Sequence, residues 1–183
     1  DQISYVVSNY RVRTVNVIAH SMGSSLFAEI VDVVKQDLET QGHELNTVVF
    51  LGSICHRKYS KIIASRCNLF INDVGRYDAL PFLARTLNKW RYGDVGTRGF
   101  LDGYVTMDRF FAHNHSSCTS ISHLQNKVIP LIETTDIVEQ GIHNRSLVKA
   151  VVPSWTFTYL RWILRLVVVL VASWIISLVW HAV

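Results

Sequence analysis

Thr14-Val15-Asn16-Val17-Ile18-Ala19-His20-Ser21-Met22-Gly23 is an alternating, β-branched run that breaks at a serine between small residues. Such alternation predicts a buried strand over 14–19. Beyond Gly23, Leu26, Phe27, Ile30, Val31, Val34 and Leu38 recur at three- and four-residue steps, which predicts an amphipathic helix. A strand that turns at small-x-Ser-x-Gly straight into a helix is the layout of a nucleophile elbow, where a sharp turn exposes a serine hydroxyl.

The residue types fit that geometry. The turn crowds the positions two before and two after Ser21, so Ala19 and Gly23 are expected there because they are small. The backbone N–H of Met22 would open the helix and could donate to a developing oxyanion. The pentapeptide alone is weak, since average composition produces it in roughly one chain of this size in ten. Its position between a strand pattern and a helix pattern gives it weight.

On residues 15–24 the chain resembles the α/β-hydrolases, and Ala-His-Ser-Met-Gly is similar to the elbow of some bacterial lipases. The resemblance implies a parallel sheet flanked by helices and a triad in the order Ser, Asp or Glu, His. It also implies several strands ahead of the elbow, whereas few residues precede it here. The expected fold is therefore the C-terminal portion of such a sheet, in a fragment or truncated product that carries the catalytic residues without the complete fold and without the second oxyanion donor.

Downstream, Thr47–Gly52 reads as a buried parallel strand and Cys67–Asn72 as the next. Residues 57–65 and 79–87 have helical character, and 88–103 reads as a long loop. Tyr104–Phe111 alternates like a strand. Residues 122–133 read as a helix kinked near Pro130. Strands alternating with helices predict an α/β domain over 1–133.

The acid is expected in the loop after the second downstream strand. Asn72-Asp73-Val74-Gly75-Arg76-Tyr77-Asp78 offers two candidates. Asp78, ahead of an apolar helix, resembles the acid loop of related hydrolases. Asp73 is the alternative, or it braces the turn, a common use of aspartate. The base is expected after the last strand, in Ala112-His113-Asn114-His115-Ser116-Ser117. His115, followed by serines, resembles the family's His-Ser segments, with His113 as the alternative. His123 falls in the predicted helix and reads as surface or core, His20 as pocket-lining or structural, and His143 as linker. The implied triad is Ser21, Asp78 and His115, with the Met22 N–H as oxyanion donor. It needs no metal and no organic cofactor.

Composition narrows the alternatives. The 183 residues carry a formal net charge of +4, spread along the chain, which does not indicate a nucleic-acid partner. Cys55, Cys67 and Cys118 are an odd number without metal-ligand spacing, so reduced, mostly buried thiols in a cytosolic setting are expected. No signal peptide is recognisable at the start.

Residues 134–154 read as a polar linker. Residues 155–183 read as a transmembrane anchor: Leu166–Trp180 has no charge, and 162–183 would span about 33 Å as a helix. Arg161 and Arg165 flank one end, Trp174 and Trp180 the other. The positive charge before the span predicts a single-pass C-terminal anchor with the preceding domain in the cytoplasm. The expected function is a membrane-tethered serine hydrolase acting on carboxylic esters, including lipids. The competing expectation is a non-catalytic, membrane-anchored interaction protein built on a degenerate or truncated hydrolase fold.

Overall fold

The structure, a computed structural model, describes residues 13–101, 107–134, 162–163 and 166–167. Four strands, β1 (Thr14–His20), β2 (Glu44–Leu51), β3 (Leu69–Gly75) and β4 (Met107–Phe111), form one parallel sheet in sequential order. The strand ends lie in register: His20 pairs with Leu51, Leu51 with Asp73, and Asp73 with Arg109. The expected α/β parallel sheet is thus present.

Parallel strands need crossovers, and these are helical. α1 (Met22–Thr40) links β1 to β2. A 3-10 turn (Arg57–Tyr59) and α2 (Ser60–Ala64) lead to β3. α3 (Leu80–Leu87) and α4 (Val95–Arg98) lead to β4. α4 corrects the expectation of an unstructured loop over 88–103. It packs on β3 because the amide of buried Asn72 donates to the Val95 carbonyl (3.0 Å) and to Asp108 (2.8 Å).

Both faces of the sheet are covered, which explains why β2 and β3 read as continuous apolar runs. Val48, Phe50 and Phe70 pack with Ala28, Val31 and Leu38 of α1. Phe27, Phe50, Phe70 and Phe100 form a chain of edge-to-face contacts across that layer. On the other face Val49, Leu51 and Ile71 meet Cys118, Val128 and Leu131.

The helical stretch after β4 runs through α5 (Ile121–His123), a π segment (Leu124–Val128) and α6 (Ile129–Thr134). Pro130 lacks an N–H and its ring clashes with the carbonyl four residues back. The widened π turn lies where that strain falls, so the irregularity expected at Pro130 is displaced ahead of it.

The chain divides into two compact units, Asp1–His143 and Asn144–Val183. Among the described residues no helix is long and apolar enough to cross a membrane. The predicted span, apart from helical Trp162, Ile163, Leu166 and Val167, lies outside the described residues, as does most of the predicted linker.

Candidate active site

The site lies at the carboxyl ends of the four strands, where open parallel sheets place their ligands. Ser21 follows β1, Gly52 follows β2, Asp78 follows β3 and His115 follows β4.

Ser21 adopts φ 51° and ψ −121°, a conformation that costs a non-glycine residue about 1–3 kcal/mol. Several bonds hold it there. Its N–H donates to the Leu51 carbonyl at 3.0 Å. Its carbonyl accepts from the Ser24 hydroxyl at 2.6 Å, and Ser24 Oγ lies 2.7 Å from Ser53 Oγ in a buried pair. Met22 begins α1, so its N–H precedes the helical ladder; it forms no hydrogen bond among the described residues. The crowding expected at Gly23 is absent: a Cβ there would meet nothing within 4 Å beyond its own helix backbone and chain neighbours. The turn is therefore held by Ser24 and Ser53 rather than by close packing at Gly23.

Asp78 is buried, with 1% of its surface exposed. Its Oδ1 accepts from the Leu80 N–H at 3.0 Å, and its carbonyl accepts from Thr97 Oγ1 at 2.6 Å. Its Oδ2 lies 2.8 Å from His115 Nδ1. An ionised carboxylate can only accept, so Nδ1 carries the hydrogen and Nε2 of neutral His115 is left as a base. His20, next to Ser21, packs its ring on that of His115 with centroids 4.6 Å apart. His20 Nε2 lies 3.3 Å from the His115 carbonyl. Burial, then the neighbouring His115, lowers the His20 pKa. The serine, acid and base candidates are thus gathered at one place. Among the described residues the Ser21 hydroxyl makes no hydrogen bond to His115.

The alternative acid and base have another use. Asp73 lies inside β3 and forms a two-pronged pair with Arg109 of β4, at 2.6 and 2.7 Å. Its Oδ2 also lies 2.9 Å from His123 Nε2, and His123 Nδ1 lies 3.0 Å from His113 Nε2. Asp73 thus ties β3 to β4 from inside the sheet, not the turn where the sequence reading placed it, and His123 is core. The pKa of His113 is lowered by burial and then by His123.

Gly52, a strand end in the sequence, lies against the Asp78–His115 pair. Its φ is +50°, and a Cβ there would lie 3.0 Å from Asp78 Oδ2 and 3.1 Å from His115 Nδ1. A glycine closing an apolar strand is the signal of such a close approach. Gly96 is tighter still, since its Cβ would fall 2.3 Å from the Ser53 nitrogen. The three cysteines are free, Cys55 and Cys118 buried and Cys67 half-buried. Burial raises the Cys55 and Cys67 thiols to about 12 and Cys118 to about 11. None is an activated nucleophile.

The fold and site define a class in chemical terms: a parallel α/β sheet with a strained serine at a strand–helix turn beside a buried Asp–His pair. No protein-family model matches the chain, and neither a curated protein nor a solved structure matches it.

Proposed function

We propose that the protein is an α/β-hydrolase-type serine esterase, with Ser21 as nucleophile, His115 as base and Asp78 as orienting acid. The observation that carries this reading is the 2.8 Å contact between Asp78 and His115 beside a serine held at φ 51°. His115 Nε2 takes the Ser21 proton as Oγ attacks an ester carbonyl. Asp78 holds the imidazole in the required tautomer and stabilises its cation. The Met22 N–H, at the positive end of α1, stabilises the oxyanion. His115 then returns its proton to the alcohol leaving group, and water attacking the acyl-serine releases the acid. The chemistry draws on no metal or organic cofactor. The substrate class is a carboxylic ester, including lipid esters, and residues 155–183 tether the domain to a membrane with the catalytic unit on the cytoplasmic side.

Hydrolysis of a p-nitrophenyl ester by the folded chain, compared with Ser21→Ala and His115→Ala, tests this reading. Both substitutions should lower kcat by about 10⁶-fold. Unchanged turnover in Ser21→Ala overturns it. Carbonate extraction of membranes tests the tether separately, because a spanning segment stays in the pellet.

One observation favours a second reading, a non-catalytic interaction protein on the same fold: the Ser21 hydroxyl has no hydrogen bond to His115 among the described residues. Catalytic hydrogen bonds often tighten only around substrate, which keeps the enzyme reading ahead.

A further inference from the structure

The segment between α3 and α4 closes on itself at Asn88, whose carbonyl accepts from the N–H groups of Arg91 (3.3 Å) and Tyr92 (2.9 Å). Trp90 sits at the tip of that turn and is 81% exposed. Leu87, at the end of α3, is 77% exposed, and Leu80, seven residues earlier and so on the same helix face, is also exposed. The tip has a fixed root. Gly93 N–H donates to the Ile54 carbonyl at 2.8 Å, and a Cβ on Gly93 would lie 2.1 Å from the Cys55 carbonyl oxygen. The Tyr92 hydroxyl lies 4.0 Å from Met22 Sδ, beside the serine turn.

Cations lie beside this apolar tip. Lys89 Nζ lies 4.9 Å from the Trp90 ring centroid, and Arg91 reaches over Tyr92. Lys58, on the adjoining 3-10 turn after β2, adds to the cations. None of Lys58, Lys89 and Arg91 forms an ion pair among the described residues. Asp78 and Asp94, the carboxylates nearest in sequence, are buried and engaged with His115 and Arg85.

We propose that Leu80, Leu87 and Trp90, ringed by Lys89 and Arg91, form a docking surface for an anionic phospholipid bilayer. Tryptophan settles at the interface between headgroups and acyl chains, leucine enters the acyl layer, and lysine and arginine pair with the phosphates. A nucleic acid would also meet the cations and stack on Trp90, but two aliphatic leucines offer it nothing to pair with. The surface goes beyond the esterase reading and does not depend on the chemistry of Ser21. It would bring a lipid layer to the edge of the serine turn.

The test places a polarity-sensitive NBD dye on Leu87→Cys in the full chain, with Cys67→Ser to remove the half-buried thiol. On vesicles of phosphatidylcholine with phosphatidylserine the dye should shift to the blue and be quenched by acyl-chain nitroxides. Added Lys89→Gln and Arg91→Gln should lower the ratio of lipid-docked to water-exposed dye on vesicle-bound protein about 30-fold, from about 1 kcal/mol per surface cation. The inference is overturned if the dye stays in water while the protein sediments with the vesicles. It is equally overturned if pure phosphatidylcholine gives the same shift, or if single-stranded RNA produces the shift and vesicles do not. Repeating the test in Ser21→Ala separates the two accounts: a retained shift without hydrolysis keeps the surface, and hydrolysis without a shift removes it.

Discussion

Asp78 Oδ2 and His115 Nδ1 lie 2.8 Å apart, although the residues come from loops after different strands and stand 37 positions apart in the chain. The carboxylate is anchored on its other oxygen by Leu80 N–H and is closed off from water. It therefore fixes which imidazole nitrogen carries the hydrogen. Asp78→Asn keeps the shape but offers an amide, which favours the wrong tautomer. The expected result is a fall in kcat for ester hydrolysis of about 10⁴-fold with little change in KM. An Asp78→Asn protein within tenfold of the parent would contradict the role given to Asp78.

Asp73 should behave differently. It and Arg109 are buried together, and removing Arg109 leaves the Asp73 carboxylate buried with no guanidinium and only His123 Nε2 against it. Arg109→Leu is expected to lower unfolding stability by about 3–5 kcal/mol in urea titration. Asp73→Asn should also act mainly on stability, leaving kcat of the folded fraction near the parent value. A stable Asp73→Asn protein with lost kcat would make Asp73 the catalytic acid instead.

Gly52 is the position where backbone and chemistry meet. Gly52→Ala forces a side chain into a positive φ, at about 1–2 kcal/mol, and against the Asp78–His115 pair. Small displacement of such a pair is costly, so hydrolysis should fall about 10²-fold. Gly23→Ala, with open space around it, should leave both fold and turnover close to the parent. Equal effects from the two substitutions would contradict this assignment.

His20, His56 and His113 share a pH signature. Burial is the first cause that lowers each below the ordinary value of 6.5; His115 adds to it at His20, Lys58 at His56 and His123 at His113. Just below pH 6.5 the unfolded chain therefore binds more protons than the folded one, and stability rises with pH through that window. It should be full above about pH 7 and decline as pH falls from 6.5 toward the depressed folded values. Thermal unfolding between pH 7.5 and 5.5 reads this directly. A midpoint that rises on acidification would contradict the burial of these rings.

The strand, turn and helix around Ser21 are legible because their signal is local: period-two alternation, a serine between small residues, then period 3.6. Asp78 and His115 were legible through chain order, each behind a run of strand character. What was not legible depends on partners far away in sequence. Arg109 sits in a short strand whose alternation gives no sign that its guanidinium is buried against Asp73. The Ser24–Ser53 pair spans 29 residues, and either serine alone reads as surface. Gly52 and Gly96 matter through what a side chain would strike, which only the folded neighbours define. α4 is not legible in the sequence because four residues are too few to display a period.

Under the proposed mechanism, Oγ of the strained Ser21 is the reacting atom. The most direct measurement is treatment of the folded chain with a fluorophosphonate, followed by mass mapping of the adduct. A single phosphonylated peptide containing Ser21, lost in Ser21→Ala and strongly slowed in His115→Ala, is the predicted result. A folded protein that takes up no label, or takes it up at a residue other than Ser21, would contradict the account.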